Sequence, residues 1–346
     1  MAAAVANCSD PDSVPKETCF QIAEILRNPL YRTAQIVNLV ESVAAFLLIV
    51  FCLCRYRRKI TIHQNIEILL ATLFLACLCH AAVYSVSKVY QLTLSFFVED
   101  PCHLFLPRPF YIVTHTLIAS SNLCTQIIQV MMIIERIVAT VRVDTYETQC
   151  PLLGAMLVTA LLLSTMFLTA GESNHTFANF LMTNSLMTTD SSIEKVSTAF
   201  AVIFVASCIS LLINISLYYY NSRHRKWPTL SSRYQALENA SISAMLCVIS
   251  TVQLTTIAIY AFSMTYLRLK LHHDPMYDPY KECFYMVPLC TLILPVATIA
   301  FIERSKRKRS QGIKSLVKMK ASGQEGWKNY SAQLKQQWES FLPRTA

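Results

Sequence analysis

Seven long stretches without charged side chains constrain this chain more than any other feature of its sequence. Each is at least 20 residues long, and only the first contains an acid, Glu41. A helix of 20 residues is about 30 Å long, which matches the hydrocarbon core of a bilayer, and buried helices of soluble proteins seldom stay uncharged over that length. The stretches cover residues 33–54, 68–87, 109–134, 151–170, 196–220, 239–267 and 283–302. They predict an all-α membrane protein, a seven-transmembrane helix bundle.

The distribution of basic residues predicts the orientation of the bundle. Of the 30 lysines and arginines, 21 fall in the loops after the odd-numbered spans and in the C-terminal segment. Loops rich in lysine and arginine stay in the cytoplasm. We therefore expect an extracellular N-terminal segment (1–32), a transmembrane domain (33–302) and a cytoplasmic C-terminal tail (303–346). The net charge of +9 then reflects topology and does not indicate nucleic-acid binding.

The tail is basic and amphipathic. Eight basic residues fall between Arg304 and Lys320, and each is expected to add about 1 kcal/mol of attraction to anionic lipid. Farther along, large apolar residues recur at steps of three or four, at Trp327, Tyr330, Leu334, Trp338 and Phe341. This spacing predicts a helix on the inner membrane surface, so membrane lipids are an expected partner. The alternative is a solvated, loosely ordered tail.

Glycosylation sequons and cysteines indicate chemistry on the outer side. Asn7 and Asn174 begin sequons in the predicted extracellular parts. Four cysteines, at positions 8, 19, 102 and 283, lie in or at the edge of outer segments, where disulfides form, and four cysteines allow three pairings. Cys19 and Cys102 each stand just before a span, which favours the pair Cys19–Cys102.

The third span carries a polar stripe that ends in a charged pair. At 100° per residue, five polar side chains fall within an arc of about 80°. They are His115, Asn122, Gln126, Gln129 and Arg136. The sixth span has a similar stripe, made of Ser243, Ser250, Gln253 and Tyr260, and Glu238 marks its inner end. Polar stripes in lipid are expected to face other helices or a hydrated cavity.

The two stripes suggest a latch between the third and sixth spans. In this hypothesis Arg136 pairs alternately with Glu135 and Glu238, and its release lets the sixth helix swing away. Reversing the charge of Glu238 is then expected to raise basal signalling. The alternative is that Glu135 and Arg136 only mark the membrane boundary, because long charged side chains at span ends reach the headgroups.

Several motifs resemble those of the nematode serpentine chemoreceptors of the alpha, beta and epsilon classes, which are G-protein-coupled receptors. They run along the chain as NPLYRTAQ (28–35), IHQN (62–65), ERIVAT (135–140), YE (146–147) and LSSRYQALEN (230–239), together with Cys102. The resemblance implies a multi-pass plasma-membrane protein of sensory neuron cilia. It also implies a small odorant or tastant as ligand and a heterotrimeric G protein as partner. Arg136, Tyr146 and Arg233 are then the expected G-protein contacts.

The same resemblance places a ligand pocket between the outer halves of the helices. Its candidate residues are His115, Asn122, Gln253, Tyr260 and Tyr285. Glu41, an acid inside a span, is expected to have a partner on a neighbouring helix. His80 is expected to be a hydrogen-bonded packing residue. The sequence departs from rhodopsin-like receptors in the loop 171–195, which has no cysteine, in the sixth span, which has no proline, and in the seventh, which has no Asn-Pro-x-x-Tyr.

Other functional classes have weaker support. The sequence contains no motif of an enzyme, a cofactor site or a metal site. A ligand-gated cation channel of the insect odorant-receptor kind has its N-terminus inside, against the charge bias. A small-solute transporter is expected to show internal repeats, broken helices or paired intramembrane charges, and none is evident from the sequence.

Overall fold

The computed structural model describes residues 4–6, 15–56, 63–142, 146, 152–176, 180–186, 190–223, 230–271, 274–317 and 323–341. Within these ranges the chain forms ten α-helices, one 3₁₀ turn (Pro101–His103) and a pair of short strands. In chain order the elements are β1 (Ala4–Ala6), α1 (Lys16–Arg27), α2 (Pro29–Tyr56), α3 (Gln64–Phe97), α4 (Arg108–Val141), α5 (Leu153–Thr176), β2 (Phe180–Met182), α6 (Asp190–Arg223), α7 (Leu230–Lys270), α8 (Tyr277–Cys283), α9 (Val287–Val317) and α10 (Gly323–Phe341).

Seven of these segments are long and apolar enough to cross a membrane, which confirms the predicted seven-helix bundle. They are α2, α3, α4, α5, α6, α7 and the combined segment α8–α9. The helices extend past the charge-free stretches. The helix α3 has 34 residues, or about 51 Å, whereas the corresponding stretch has 20.

Prolines and asparagines set several helix boundaries. Asn28 adopts an extended conformation before Pro29, which ends α1, and its Oδ1 accepts a hydrogen bond from the Leu30 backbone N–H at 2.9 Å. Pro29 is therefore the first residue of α2, where its missing N–H costs nothing. The helix α4 begins in the same way, with Pro109 in its first turn.

The spans close into a ring around one apolar core. The helix α2 packs on α3 and α9, α4 packs on α3, α5, α6 and α7, and α7 packs on α6 and α9. Leucines and isoleucines of α3, α4, α7 and α9 fill the centre, among them Leu69, Leu73, Ile128, Ile249 and Leu294. Large apolar side chains also cover the outside, including Leu47, Leu75, Phe167, Leu212 and Phe262. An apolar exterior of this extent fits a surface in contact with lipid.

Two close contacts shape the bundle. The helix α5 crosses α3 at Gly154, where an added Cβ would lie 2.8 Å from the Cα and carbonyl oxygen of Asn65. At the other end of α3, Arg27 of α1 donates to the carbonyls of Val98 and Glu99, at 2.8 and 2.9 Å. A cation there complements the negative end of the helix dipole.

The helix α1 lies over the end of the bundle that contains the disulfide Cys19–Cys102, the pairing favoured from the sequence. We call this the disulfide end and the opposite one the Arg136 end. The two strands pair in antiparallel register at the disulfide end, with Val5 opposite Leu181. They were not predicted, because three residues are too few for a strand pattern to stand out.

The seventh span is broken, contrary to the expectation from the sequence. The helix α8 ends at Cys283, and α9 begins at Val287. Pro288 occupies the first turn of α9, where proline starts a helix readily. The carbonyl of Glu282, beside the break, accepts from Asn38 Nδ2 at 3.1 Å, so a neighbouring helix satisfies the interrupted backbone. The helix α9 then continues past residue 302 to Val317, with Pro295 inside it.

Candidate functional site

Buried polar side chains form one cluster at the Arg136 end. Glu135 and Arg136 are 0% and 1% exposed, and the guanidinium of Arg136 is paired with the Glu135 carboxylate. Arg136 Nη1 also donates to Asn239 Oδ1 of α7 at 2.9 Å, while Asn239 Nδ2 donates to the Ala139 carbonyl at 3.2 Å. A pair that merely marked the membrane boundary would reach the headgroups, so this burial argues against that alternative.

Tyr146, which follows α4 in the chain, and Asn65 extend this cluster to α3 and α5. The Tyr146 hydroxyl donates to the Glu135 carboxylate. Asn65 Nδ2 donates to the Tyr146 hydroxyl at 2.9 Å, and the Gly154 backbone N–H donates to Asn65 Oδ1 at 3.1 Å. Burial, with the neighbouring Glu135 carboxylate, raises the pKa of Tyr146, so its hydroxyl keeps the proton that it donates. Glu135, Arg136, Asn239, Tyr146 and Asn65 are the arginine cluster.

A second buried cluster, at the disulfide end, is built on an ion pair. Lys88 Nζ of α3 lies 2.6 Å from Glu282 Oε1 of α8, and the two side chains are 1% and 2% exposed. The same oxygen accepts from the Tyr84 hydroxyl at 3.0 Å and from Asn38 Nδ2 at 3.3 Å. A buried ion pair of this kind needs such additional hydrogen bonds to offset its desolvation.

Asn184, in the connection after β2, forms hydrogen bonds with both members of this ion pair. Its Nδ2 donates to Glu282 Oε2 and to the Tyr31 hydroxyl, both at 2.9 Å. Its Oδ1 accepts from Lys88 Nζ at 3.5 Å and from Gln91 Nε2 at 3.3 Å. One amide thus links this connection to α2, α3 and α8. Lys88, Glu282, Tyr84, Asn38 and Asn184 are the ion-pair cluster.

A cleft opens beside the ion-pair cluster. Its lining includes Tyr31, Asn184, Tyr260, Glu282 and Tyr285. Tyr260 and Tyr285 meet edge to face, with ring centroids 6.2 Å apart. Aliphatic side chains of α1 also line the cleft. Pockets with aliphatic and aromatic walls and a few placed polar groups are typical of small-molecule sites.

Comparison with known proteins decides the family. The family "Serpentine type 7TM GPCR receptor class ab chemoreceptor" matches residues 16–339. The chain belongs to this family. Similar proteins of Caenorhabditis elegans include Serpentine receptor class beta-17, 27% identical over 90% of this chain and 88% of that protein. Serpentine receptor class beta-3 is 25% identical over 95% of this chain and 97% of its own length.

The receptor brings together some of the residues predicted to bind ligand. Asn122 Nδ2 donates to the Tyr285 hydroxyl at 3.2 Å, and Tyr260 packs against the same ring. His115 Nδ1 donates instead to the Ser185 carbonyl, in the connection after β2, at 2.8 Å. Gln253 lies deeper and donates to the Thr125 carbonyl at 3.0 Å. Only Tyr260 and Tyr285 of these five line the cleft.

His80 and Glu41 have different surroundings. His80 is fully buried, and its Nε2 lies 3.0 Å from the Tyr285 hydroxyl, in keeping with a packing role. Glu41 is half-buried, and no hydrogen bond of its carboxylate occurs within the described ranges, so the expected partner on a neighbouring helix is not present.

The predicted switch residues meet only in part. Within the described residues Glu238 is not bonded to Arg136, and it accepts a hydrogen bond from the His63 backbone N–H at 3.1 Å. The next residue, Asn239, takes its place, since one residue turns a helix by about 100°. The backbone of Arg233 belongs to α7, but its side chain lies outside the described residues, so its predicted contact stays a prediction.

Several other predictions fall on parts of the chain that the structure does not describe. Asn7 lies outside the described residues, and so does the side chain of Asn174, which stands in α5. Cys283, which the sequence offered as another disulfide partner, is a free cysteine. Among the described residues no group of His, Cys, Asp or Glu could hold a metal ion.

Sequence reasoning missed the ion-pair cluster, although a signal for Lys88 was present. The charge-free stretch was ended at residue 87, yet Lys88 is the only charged residue in residues 68–98. Glu282 stands just before the last stretch, among the charged residues Asp278 and Lys281, and looked like a boundary residue. The structure pairs Lys88 with Glu282 between α3 and α8, which was not evident from the sequence.

The arginine cluster had a clearer signal. Its five residues all come from the quoted motifs, with Asn65 in IHQN, Tyr146 in YE and Asn239 at the end of LSSRYQALEN. Side chains from separate motifs meet at one point, which is why the motifs are informative together. Asn184 had no such signal, because it lies in a connection rich in Ser, Thr and Asn.

Proposed function

We propose that this receptor binds a small environmental molecule, an odorant or tastant, at its disulfide end and activates a heterotrimeric G protein at its Arg136 end. The arginine cluster carries the proposal, because a buried arginine of the third span is bonded to the sixth span. In the proposed mechanism, release of this bond opens the Arg136 end of the bundle to the G protein. Family membership supports the same function. His115 and Arg136 are about 31 Å apart along α4, so one helix connects the two ends.

The proposed mechanism is a shift between two arrangements of α4 and α7. Ligand at the disulfide end favours the arrangement that it binds more tightly. In the other arrangement, Arg136 bonds both Glu135 and Asn239 and keeps the two helices together. When Asn239 moves away, Arg136 becomes available to the G protein, with Tyr146 and Arg233 as further contacts.

The proposed topology follows from the basic loops. Residues 1–32 lie outside the cell, residues 33–302 span the membrane, and residues 303–346 form the cytoplasmic tail. The helix α10 exposes Trp327, Tyr330 and Trp338, which is consistent with a tail helix on the lipid surface. The site of action is the plasma membrane of sensory neuron cilia.

A signalling assay tests this function. Cells that co-express the receptor and a promiscuous G protein are exposed to an odorant panel, and a ligand-dependent response is expected. Arg136→Gln is expected to abolish the response, whereas Arg142→Gln, at the exposed end of the same helix, is expected to retain it. Equal responses from both variants at equal surface expression would refute the role of Arg136. Antibody labelling of an epitope at Ala2 on intact cells tests the orientation.

The ion pair favours one second candidate, a small-solute transporter. Buried charge pairs and broken helices occur in that class, and this chain has a buried charge pair and an interruption between α8 and α9. Transporter sites lie near the bilayer midplane, however, whereas Lys88 lies 24 residues, or about 36 Å, from the start of α3. Accumulation of a radiolabelled ligand in vesicles that contain the receptor would support transport, and binding without accumulation would exclude it.

A further inference from the structure

The two oxygens of the Glu282 carboxylate are used unevenly. Each oxygen of a carboxylate offers about two lone-pair positions. Oε1 accepts from Lys88, Tyr84 and Asn38, whereas Oε2 accepts from one donor, Asn184, among the described residues. Glu282 also lines the cleft. A donor that enters the cleft can therefore bond Oε2 without displacing Lys88.

The wall around this oxygen is suited to a cation. Tyr31, Tyr260 and Tyr285 line the same cleft, and the faces of aromatic rings attract ammonium groups. Asp278, one turn before Glu282 on α8, adds a second carboxylate to the lining. Lys281 lines the cleft as well, and Lys88 pairs with Glu282 outside the lining, so the attraction for a cation rests on Glu282 Oε2 and the aromatic rings and not on net charge.

Lys88 is poorly placed to bind an anion. It is 1% exposed and does not belong to the lining of the cleft. An ammonium group has three donors, and Lys88 Nζ has three acceptors, namely Glu282 Oε1, Gln91 Oε1 at 3.1 Å and Asn184 Oδ1. An anionic ligand would have to break this set, whereas a cationic ligand leaves it intact.

We propose that the cleft binds a small organic cation, a protonated amine or a quaternary ammonium compound, with Glu282 Oε2 as the anchor and the three tyrosines around the charged group. The proposal rests on the proposed receptor function and narrows its ligand class.

The test uses purified full-length receptor in lipid nanodiscs and three probes of similar shape. The probes are 2-phenylethylamine, 3-phenylpropionate and 2-phenylethanol, which differ in charge, with tetramethylammonium and isobutylamine as further cations. The thermal unfolding midpoint is measured against probe concentration, because a ligand that binds the folded state raises it. At least one cation is expected to raise the midpoint at concentrations where the carboxylate and the alcohol do not.

Variants identify the anchor. Glu282→Gln is expected to weaken the binding of the cation about ten-fold or more, because a charge-assisted hydrogen bond is lost. Since this change leaves Lys88 buried and unpaired, the double variant Lys88→Met/Glu282→Gln is measured beside it and is expected to fold and to show the same weakening. Glu24→Gln, an exposed acid of α1 at the same end, is the control and is expected to leave affinity unchanged.

Three results would overturn the proposal. They are stabilisation by the carboxylate and not by the amines, equal stabilisation by all three probes of similar shape, or no stabilisation by any cation. None of these results bears on receptor function itself, which is judged by the Arg136-dependent response to the odorant panel. A receptor that signals to neutral odorants and ignores amines would retain the proposed function and lose this ligand class.

Discussion

The close approach of α5 to α3 makes a sharp prediction for Gly154→Ala. The added Cβ would lie 2.8 Å from both the Cα and the carbonyl oxygen of Asn65. Carbon atoms pack best at about 3.5–4.0 Å, so one helix has to move by about 1 Å. The obstructing atoms are backbone, so a rotamer change cannot relieve the contact.

The expected loss of stability has two parts. Overpacking of a well-packed interface by one carbon costs about 1–3 kcal/mol. Displacement of α5 also weakens the hydrogen bond from the Gly154 N–H to Asn65 Oδ1, at 3.1 Å, and a net hydrogen bond contributes about 1 kcal/mol. The total is about 2–4 kcal/mol. Because Asn65 also bonds Tyr146, the arginine cluster is expected to loosen with it.

Thermal unfolding of the purified receptor in nanodiscs measures this effect. At about 2–4 °C per kcal/mol for a chain of a few hundred residues, the midpoint is expected to fall by about 4–16 °C. Ala160→Val adds carbon atoms to the exposed side of α5 and is the control, with little change expected. A Gly154→Ala receptor as stable as the wild type would refute the close contact between α3 and α5.

Three further predictions concern the other contacts. Asn239→Ala removes a hydrogen bond to a charged group, of about 1.5–3 kcal/mol, and is expected to raise basal nucleotide exchange on the G protein; unchanged exchange would contradict the latch, with Leu237→Ala on the exposed face as control. Cys102→Ser opens a loop of 83 residues and is expected to lower the free energy of unfolding by about 2–5 kcal/mol, measured against wild type with and without reductant. Tyr146→Phe tests the raised pKa of that hydroxyl: its stabilisation is complete below pH of about 10 and declines above it, so wild type is expected to lose more stability than the variant between pH 8 and pH 11. Equal losses would show that the Tyr146 hydroxyl has no such pKa shift.

The seven spans were predictable because hydropathy and helix length depend on the local sequence alone. Their ends were less predictable, because α3 continues for ten residues after residue 87. A helix that stays packed inside the bundle beyond its charge-free stretch has no local sequence pattern that reveals this packing. Lys88 fell in this extension, and so a buried charge looked like a boundary charge.

Partners across helices were the hardest feature to predict. The stripe on α4 pointed correctly to Arg136, since one helix fixes which of its residues share a face. The choice between Glu238 and Asn239 depended on the rotation of α7 relative to α4, which no sequence period specifies. Charge complementarity favoured the glutamate, but the structure gives Arg136 a glutamate from its own helix and an amide from α7.

The continuous helix α9 has a mechanical consequence. Pro295 lies in the first third of α9 and removes one backbone hydrogen bond, and a helix bends most readily at a proline. Val317 lies 22 residues beyond, about 33 Å away, so a change of about 10° in the bend moves it by about 6 Å. The helix therefore has a short arm near the cleft and a long arm at the Arg136 end, and small rearrangements around Glu282 are amplified at the far end of the long arm.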